Sequence, residues 1–190
     1  MEKSLSFNRS QQGVTLIELA IVVAILAIVS SVAVPAFSHF FERQRISNQV
    51  NTIYSTLMLA QSEAYKMNTT VRLCPSSLSV DTDLADIQCA TSIANKVDWS
   101  KGWILWADKD LGGYKDVDGE AEILRVFQAE EGVEVIWNNN VQPQYKANGL
   151  GAQAGSFFIC SESGLYDKRL VVNVVGRPYV VDHPDGCTND

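Results

Sequence analysis

A chain of 190 residues with 15 Lys and Arg against 22 Asp and Glu carries a formal net charge of −7. That length suits one domain or one domain with an appendage, and the acidity argues against a chain whose main task is holding nucleic acid. Four cysteines with no C-x-x-C pair give no redox motif or zinc knuckle; beside an export-type segment they point to an oxidising compartment and two disulfides.

Residues 1–13 form a polar leader with Lys3 and Arg9 and no core-forming pattern. Val14–Val34 is apolar except for Thr15, Glu18, Ser30 and Ser31, and as a helix it spans roughly 30 Å, one bilayer core. Glu18 sits near the start of this helix, and an ionisable group there is a functional hypothesis with a partner to be found. The plainer alternative is a carboxylate that snorkels at the headgroup level. A secretory signal cut near Ala36 is disfavoured, because the apolar run is longer than an ordinary signal core and the helical pattern continues past the cut.

The helix is expected to run from Val14 to about Met67, bent or loosened at Pro35, which removes a backbone donor. Beyond Pro35, Ile46, Val50, Ile53, Leu57, Ala60 and Ala64 recur at steps of four and three, an apolar stripe that needs a sheet to lie against.

Gly13 followed by Val14-Thr15-Leu16-Ile17-Glu18-Leu19 resembles the class III signal of type IV prepilins and type II secretion pseudopilins. The resemblance implies that a prepilin peptidase cuts after Gly13, that Val14 becomes the methylated first residue, and that Glu18, fifth in the mature chain, governs docking in a filament. Pro35 falls where many such helices carry a kinking proline, whereas Val14 stands where Phe is usual. Cutting after Gly13 frees an α-amino group whose ordinary pKa near 8 leaves it mostly protonated at neutral pH. A buried Glu18 carboxylate is costly alone and tolerable beside a neighbour's terminal ammonium, so one charge pair sets subunit registry.

Asn68-Thr69-Thr70 closes the helical pattern, and strand signals follow. Val71–Cys74 is a short strand, Pro75–Asp98 a long polar loop, and Trp103–Ala107 an inner strand apolar on both faces. Glu122–Phe127 and Val133–Trp137 read as a hairpin across Glu130, Glu131 and Gly132. Asn138–Gly155 reads as a second loop, Ser156–Cys160 and Leu170–Val175 as strands, and Gly176-Arg177 as a two-residue turn into Pro178–Val181. Trp99, Trp103, Trp106 and Trp137 are expected in the core. Of the three ways to pair four cysteines we favour Cys74–Cys89, which closes the polar loop, and Cys160–Cys187, which pins the tail.

Gly102-Trp103-Ile104, Ala107-Asp108, the acidic glycine-rich turn, Glu122-Ile123-Leu124-Arg125 and Gly176-Arg177 also resemble the GspH/FimT group of minor pilins and pseudopilins, over roughly residues 50 to 182. Two site expectations follow. Some pseudopilins bind calcium in their loops, and Asp108, Asp110, Asp116, Asp118 and Glu120 offer oxygen ligands within one turn, although the order is not that of an EF-hand and a solvated Asp/Gly turn is the plainer reading. FimT-type pilins imply DNA uptake through basic residues near the Gly-Arg turn. Here Lys168, Arg169 and Arg177 are present, but Tyr179 stands where a second arginine belongs, and three cations on an acidic chain are few.

No enzyme is signalled. His39 and His183 are far apart, and no helix opens after the glycines of 149–155 to make a phosphate loop. The expected class is α+β, a pilin fold with a long N-terminal helix on a mostly antiparallel sheet or pair of sheets. Its segments are a leader (1–13), a membrane and filament-core helix (14–35), an amphipathic helix (36–68) and a β-rich domain (69–190). The resemblance implies a minor pilin that initiates or caps a type IV pilus, with no cofactor. It sits in the inner membrane as a single-pass protein with its C-terminal domain in the periplasm, and then enters the filament near its tip. Its partners would be other minor and major pilins, the prepilin peptidase and an inner-membrane assembly platform. The alternatives are a type II secretion pseudopilin, a DNA-binding minor pilin, and a released periplasmic enzyme.

Overall fold

The structure, a computed structural model, describes residues 13–76, 89–90, 97–108, 121–151 and 153–182, with backbone alone at 32, 34–36, 97 and 121. Contacts divide the chain into two compact units, Met1–Phe40 and Phe41–Asp190. One helix, α1 (Leu16–Met67), is assigned through both.

In the first unit the helix begins at a capped end. Thr15 is not helical; its hydroxyl accepts the Glu18 N–H at 3.3 Å, and its carbonyl accepts the Leu19 N–H at 3.1 Å, the first full turn. Thr15 is thus the N-cap and Glu18 the third helical residue, the spacing of a capping box. Leu16, Ile17, Leu19, Ile21, Val22, Val23, Ile25, Leu26, Ile28 and Val29 are exposed. The Ser31 hydroxyl donates back to the Ile28 carbonyl at 2.7 Å, which lets an apolar helix carry a serine. No helix of the described residues is long and apolar enough to cross a membrane. A span reaching Val34 is a reading of the sequence.

In the second unit the expected stripe is the inner face of α1: Ile46, Val50, Ile53, Leu57, Ala60 and Ala64 are all buried. The helix stops at Asn68, whose φ of 51° is left-handed, and the Thr69 N–H returns to the Ala64 carbonyl at 3.3 Å in a Schellman closure. Nine strands follow among the described residues: β1 (Thr70–Pro75), β2 (Val97–Asp98), β3 (Trp103–Asp108), β4 (Ala121–Phe127), β5 (Val133–Trp137), β6 (Gln144–Tyr145), β7 (Gly155–Ser161), β8 (Asp167–Val172) and β9 (Pro178–Asp182). They form two antiparallel sheets, in the orders β4-β3-β1-β6 and β2-β5-β7-β8-β9.

One core serves the helix and both sheets. Leu73, Trp103 and Leu105 come from the first sheet, Val135, Trp137, Phe157, Ile159 and Leu170 from the second, and Trp99 lies edge-on to Phe157 with centroids 5.0 Å apart. A smaller cluster, Cys74, Ile104 and Trp106, occupies the opposite side of the first sheet with Cys89 and Val126 against it. Alternate residues of β1 and β3 therefore face two different cores, which is why β3 is buried along its whole length.

The expected hairpin of Glu122–Phe127 with Val133–Trp137 does not form. β4 pairs with β3, β5 pairs with β7 and β2, and the connection changes sheets. At the crossing the side-chain oxygen of the buried Gln49 accepts the Glu130 N–H at 2.7 Å, which ties this connection to α1 where a tight hairpin turn would otherwise stand. The second correction concerns the turn at Gly176. β8 ends at Val172, and Asn173–Arg177 is a five-residue connection closed by Gly176 N–H to Asn173 O at 2.8 Å and Arg177 N–H to Asn173 Oδ1 at 2.8 Å. Asn173 satisfies donors that a two-residue turn leaves open, so Val174 and Val175 lie in the turn and are exposed.

Candidate functional site

The expected assembly segment lies in the first unit. Glu18 and Val14 are both exposed, with the carboxylate in the first turn of α1, where it complements the positive end of the helix dipole. Pro35 lies inside α1, and its side chain falls outside the described residues, as do the leader residues before Gly13.

The three cations proposed for DNA are not gathered into a patch. Lys168 faces its register partner Asp182 and forms an ion pair with it; that bond, then the charge of Lys168, holds the exposed Asp182 carboxyl below its ordinary range. Arg169 faces the other side of β8, donates to the Ser156 hydroxyl at 3.0 Å and lies over the Phe158 ring at 5.3 Å. Arg177 is at the far end of the same hairpin, in the β8–β9 connection. Two of the three are thus engaged within the fold, and the strand separates the pair from Arg177.

Of the acidic turn, only Asp108 is described; Asp110, Asp116, Asp118 and Glu120 lie outside the described residues. Asp108 is buried, and its Oδ2 receives the Arg72 Nε–H at 2.6 Å, while its carbonyl accepts the Thr69 hydroxyl at 2.8 Å. The Arg72 guanidinium also lies 5.8 Å from the Trp106 ring. A carboxylate so committed is a structural anchor between β1 and β3, and no cluster able to hold a metal occurs among the described residues.

Cys74 and Cys89 are joined, with Cα atoms 5.5 Å apart, within the ordinary span of a disulfide. Cys160 is also disulfide-bonded. Its expected partner, Cys187, lies outside the described residues.

Two features escaped the sequence reading and shape the ends of the second unit. Near Gln61, two connections interlock. The Tyr145 hydroxyl donates to the Gly176 carbonyl at 2.7 Å, Gly151 N–H reaches Val175 O at 3.3 Å, and Gln61 donates to Gly149 O at 2.7 Å. Gly151 and Gly176 meet so closely that a Cβ on Gly176 would lie 2.8 Å from the Gly151 Cα. Burial holds the Tyr145 hydroxyl protonated well above the ordinary phenol range. Near Gln49, the β7–β8 connection docks on the helix: Ser163 N–H donates to Glu42 at 3.1 Å and Arg43 lies over the Tyr166 ring at 5.0 Å. A cleft of about 320 Å3 there is lined by Arg43, Ile46 and Ser47 of α1 and by residues 165–168.

A long capped helix with an acidic residue at its third position, its outer part packed on antiparallel sheets, is the architecture of a type IV pilin-like protein. Residues 8–34 match the prokaryotic N-terminal methylation motif, and residues 49–176 match the model of the family described as type II transport protein GspH. The chain belongs to that family. A fimbrial protein of Neisseria meningitidis serogroup B is 29% identical over 123 residues, covering 57% of this chain and 72% of its relative. The type IV minor pilin FimU of Pseudomonas aeruginosa has the same fold in two crystal forms, with TM-scores of 0.51 and 0.52 at 18% identity; 74% and 78% of this chain and 98% of each FimU chain are covered. The family and fold are those of structural pilins.

Proposed function

We propose that this chain is a minor pilin that initiates or caps type IV pilus assembly. The supporting observation is the placement of Glu18, an exposed carboxylate at the third position of a capped and otherwise apolar helix, four residues after Val14. Prepilin peptidase cleaves after Gly13 and Val14 is methylated. The new ammonium then stands beside the positive end of its own helix, where it is unfavourable alone and is best met by a neighbouring subunit's Glu18. Until assembly, Val14–Val34 holds the subunit in the inner membrane with the β-rich domain in the periplasm. The assembly platform then passes it into the filament, where its varied loops suit a first or last subunit. The chain works as a structural subunit without cofactor or catalysis, and Cys160–Cys187 pins its tail.

The family description favours a second reading, a pseudopilin of type II secretion, which uses the same helix chemistry. Deleting the chain and scoring surface fibres against exoprotein export separates the two. The common part of both readings is tested with Glu18→Ala at normal abundance: the expected result is loss of the subunit from filaments, and wild-type incorporation would sink it. N-terminal sequencing checks processing, with methylated Val14 expected and a start near Phe37 contrary to it.

A further inference from the structure

The cleft of about 320 Å3 between α1 and the β7–β8 connection takes no part in the filament role proposed above. Arg43 and Ser47 line it from the helix above the buried Ile46, and Tyr166, Asp167 and Lys168 line it from the other side. Leu165 forms a lip that is 62% exposed. The Arg43 guanidinium is placed by the Tyr166 ring, a contact that leaves its N–H groups for an acceptor. Among the described residues Arg43 has no carboxylate partner. The carboxylates around it are committed elsewhere: Asp182 to Lys168, Asp167 to the Ser161 N–H at 3.2 Å, and Glu42 to the Ser163 N–H. Glu162 and Arg45 meet over Gly132.

The fold holds this arrangement before any ligand arrives. The Tyr166 N–H donates to the Ser161 hydroxyl at 3.0 Å, and Ser163 on Glu42 fixes the connection to the helix. An uncommitted guanidinium and a hydroxyl therefore stand beside an exposed leucine, the chemistry of a phosphate joined to an apolar body. We propose that the cleft binds the headgroup of a membrane phospholipid, with its phosphate on Arg43 and Ser47 and its acyl end against Leu165. Arg43 follows Val34, the end of the apolar run, by nine residues, roughly 14 Å at the helical rise. Helical side chains lean toward the N-terminus, which brings the guanidinium back toward the layer of headgroups. Glu130, Glu131, Glu134 and Glu162 lie on the neighbouring connections and repel an anionic lipid, so the headgroup is a zwitterionic one whose ammonium suits those carboxylates. The site holds the β-rich domain against the bilayer while the subunit waits, and lets go when the subunit leaves lipid. This inference rests on the proposed storage of Val14–Val34 in the membrane and adds to it a ligand for the domain outside.

The test titrates the full-length chain, purified in detergent, with phosphatidylethanolamine and counts bound lipid by native mass spectrometry. One lipid per chain is expected to be held more tightly than all others. Arg43→Gln should weaken it about tenfold, the effect of losing a hydrogen-bonded charge, and Leu165→Ser several-fold. Both side chains are exposed, so melting temperatures should stay near that of wild type. Phosphatidylglycerol should bind more weakly than phosphatidylethanolamine. Diacylglycerol with the same chains, which lacks the phosphate, should bind wild type and Arg43→Gln alike. The inference is overturned if no single lipid stands out, if Arg43→Gln retains it as wild type does, or if phosphatidylglycerol is preferred. Displacement by an equal concentration of inorganic phosphate also overturns it, since the cleft would then serve a free anion. Membrane storage is read separately, by sedimenting the wild-type chain with membranes. A chain left in the soluble fraction sinks the anchor reading, whereas an anchored chain that ignores Arg43→Gln sinks the headgroup site alone.

Discussion

The hydroxyl of Tyr145 donates to the carbonyl of Gly176 at 2.7 Å, joining β6 to the β8–β9 connection 31 residues further on. Removing that hydroxyl leaves a buried acceptor without its donor, which typically costs about 1–2 kcal/mol. Tyr145→Phe should lower the urea unfolding free energy by that amount while leaving the slope unchanged.

Burial of the same phenol sets an alkaline limit. Burial raises the Tyr145 pKa above the unfolded value near 10, so the folded chain retains a proton that the unfolded chain loses first. Its contribution is fully present below about pH 10 and is lost as pH rises beyond that. Wild-type stability should therefore fall between about pH 10 and 11.5 more steeply than that of Tyr145→Phe. Parallel curves for the two proteins would count against a buried phenol at this position.

The disulfide Cys74–Cys89 closes a loop with a sequence separation of 15, for which chain entropy gives about 3 kcal/mol. Cys74 is also buried with Ile104 and Trp106, so the staple covers the smaller core. Cys74→Ala with Cys89→Ala should cost about 3 kcal/mol in chemical denaturation and increase exposure of Trp106, read as a red shift of tryptophan fluorescence. An unchanged emission maximum would mean that the loop stays in place without its bond.

The helix was legible because its signals are local and periodic. The 46–64 stripe names the buried face, and Asn68 names the stop, both of which depend only on residues near in sequence. The two sheets were not legible in the same way. Glu122–Phe127 and Val133–Trp137 have the spacing of a hairpin, yet they pair with β3 and β7, and the crossing between them is tied to Gln49, a polar residue that reads as solvent-facing until its hydrogen bond to Glu130 is seen. Asp108 reads as part of an acidic turn for a similar reason, because its partner Arg72 is 36 residues away in sequence. Likewise Gly151 and Gly176 look like ordinary loop glycines, whereas each needs its missing side chain for the other to fit. Long-range polar pairs and close backbone contacts carry no periodicity, and they shape both ends of the second unit.

Arg72 and Asp108 should behave as an anchor of β1 on β3. Asp108 is buried while the Arg72 side chain keeps 28% of its exposure, so breaking the pair costs less than the 3–5 kcal/mol of a fully buried one. Asp108→Ala is expected to cost about 2 kcal/mol. Asp108→Asn, which keeps an acceptor for Arg72, should cost less than half as much. Equal losses in the two variants, measured by thermal or urea unfolding, would show that the carboxylate's role does not run through Arg72.

Thr15 gives a way to separate the start of the helix from the charge that sits in it. Its hydroxyl accepts the Glu18 N–H at 3.3 Å, so the cap and the acidic residue are fixed by one contact. Loss of an N-cap oxygen costs about 1 kcal/mol, enough to fray a first turn but too little to unfold the second unit, whose core is built from residues after Phe41. Thr15→Ala should therefore leave the melting temperature of the folded domain unchanged and reduce incorporation into filaments several-fold, because a frayed turn no longer holds the carboxylate in place. Thr15→Ser keeps the oxygen and should incorporate like wild type. If Thr15→Ser is as defective as Thr15→Ala, the cap is not what positions Glu18, and the threonine methyl has to be examined as a packing group instead.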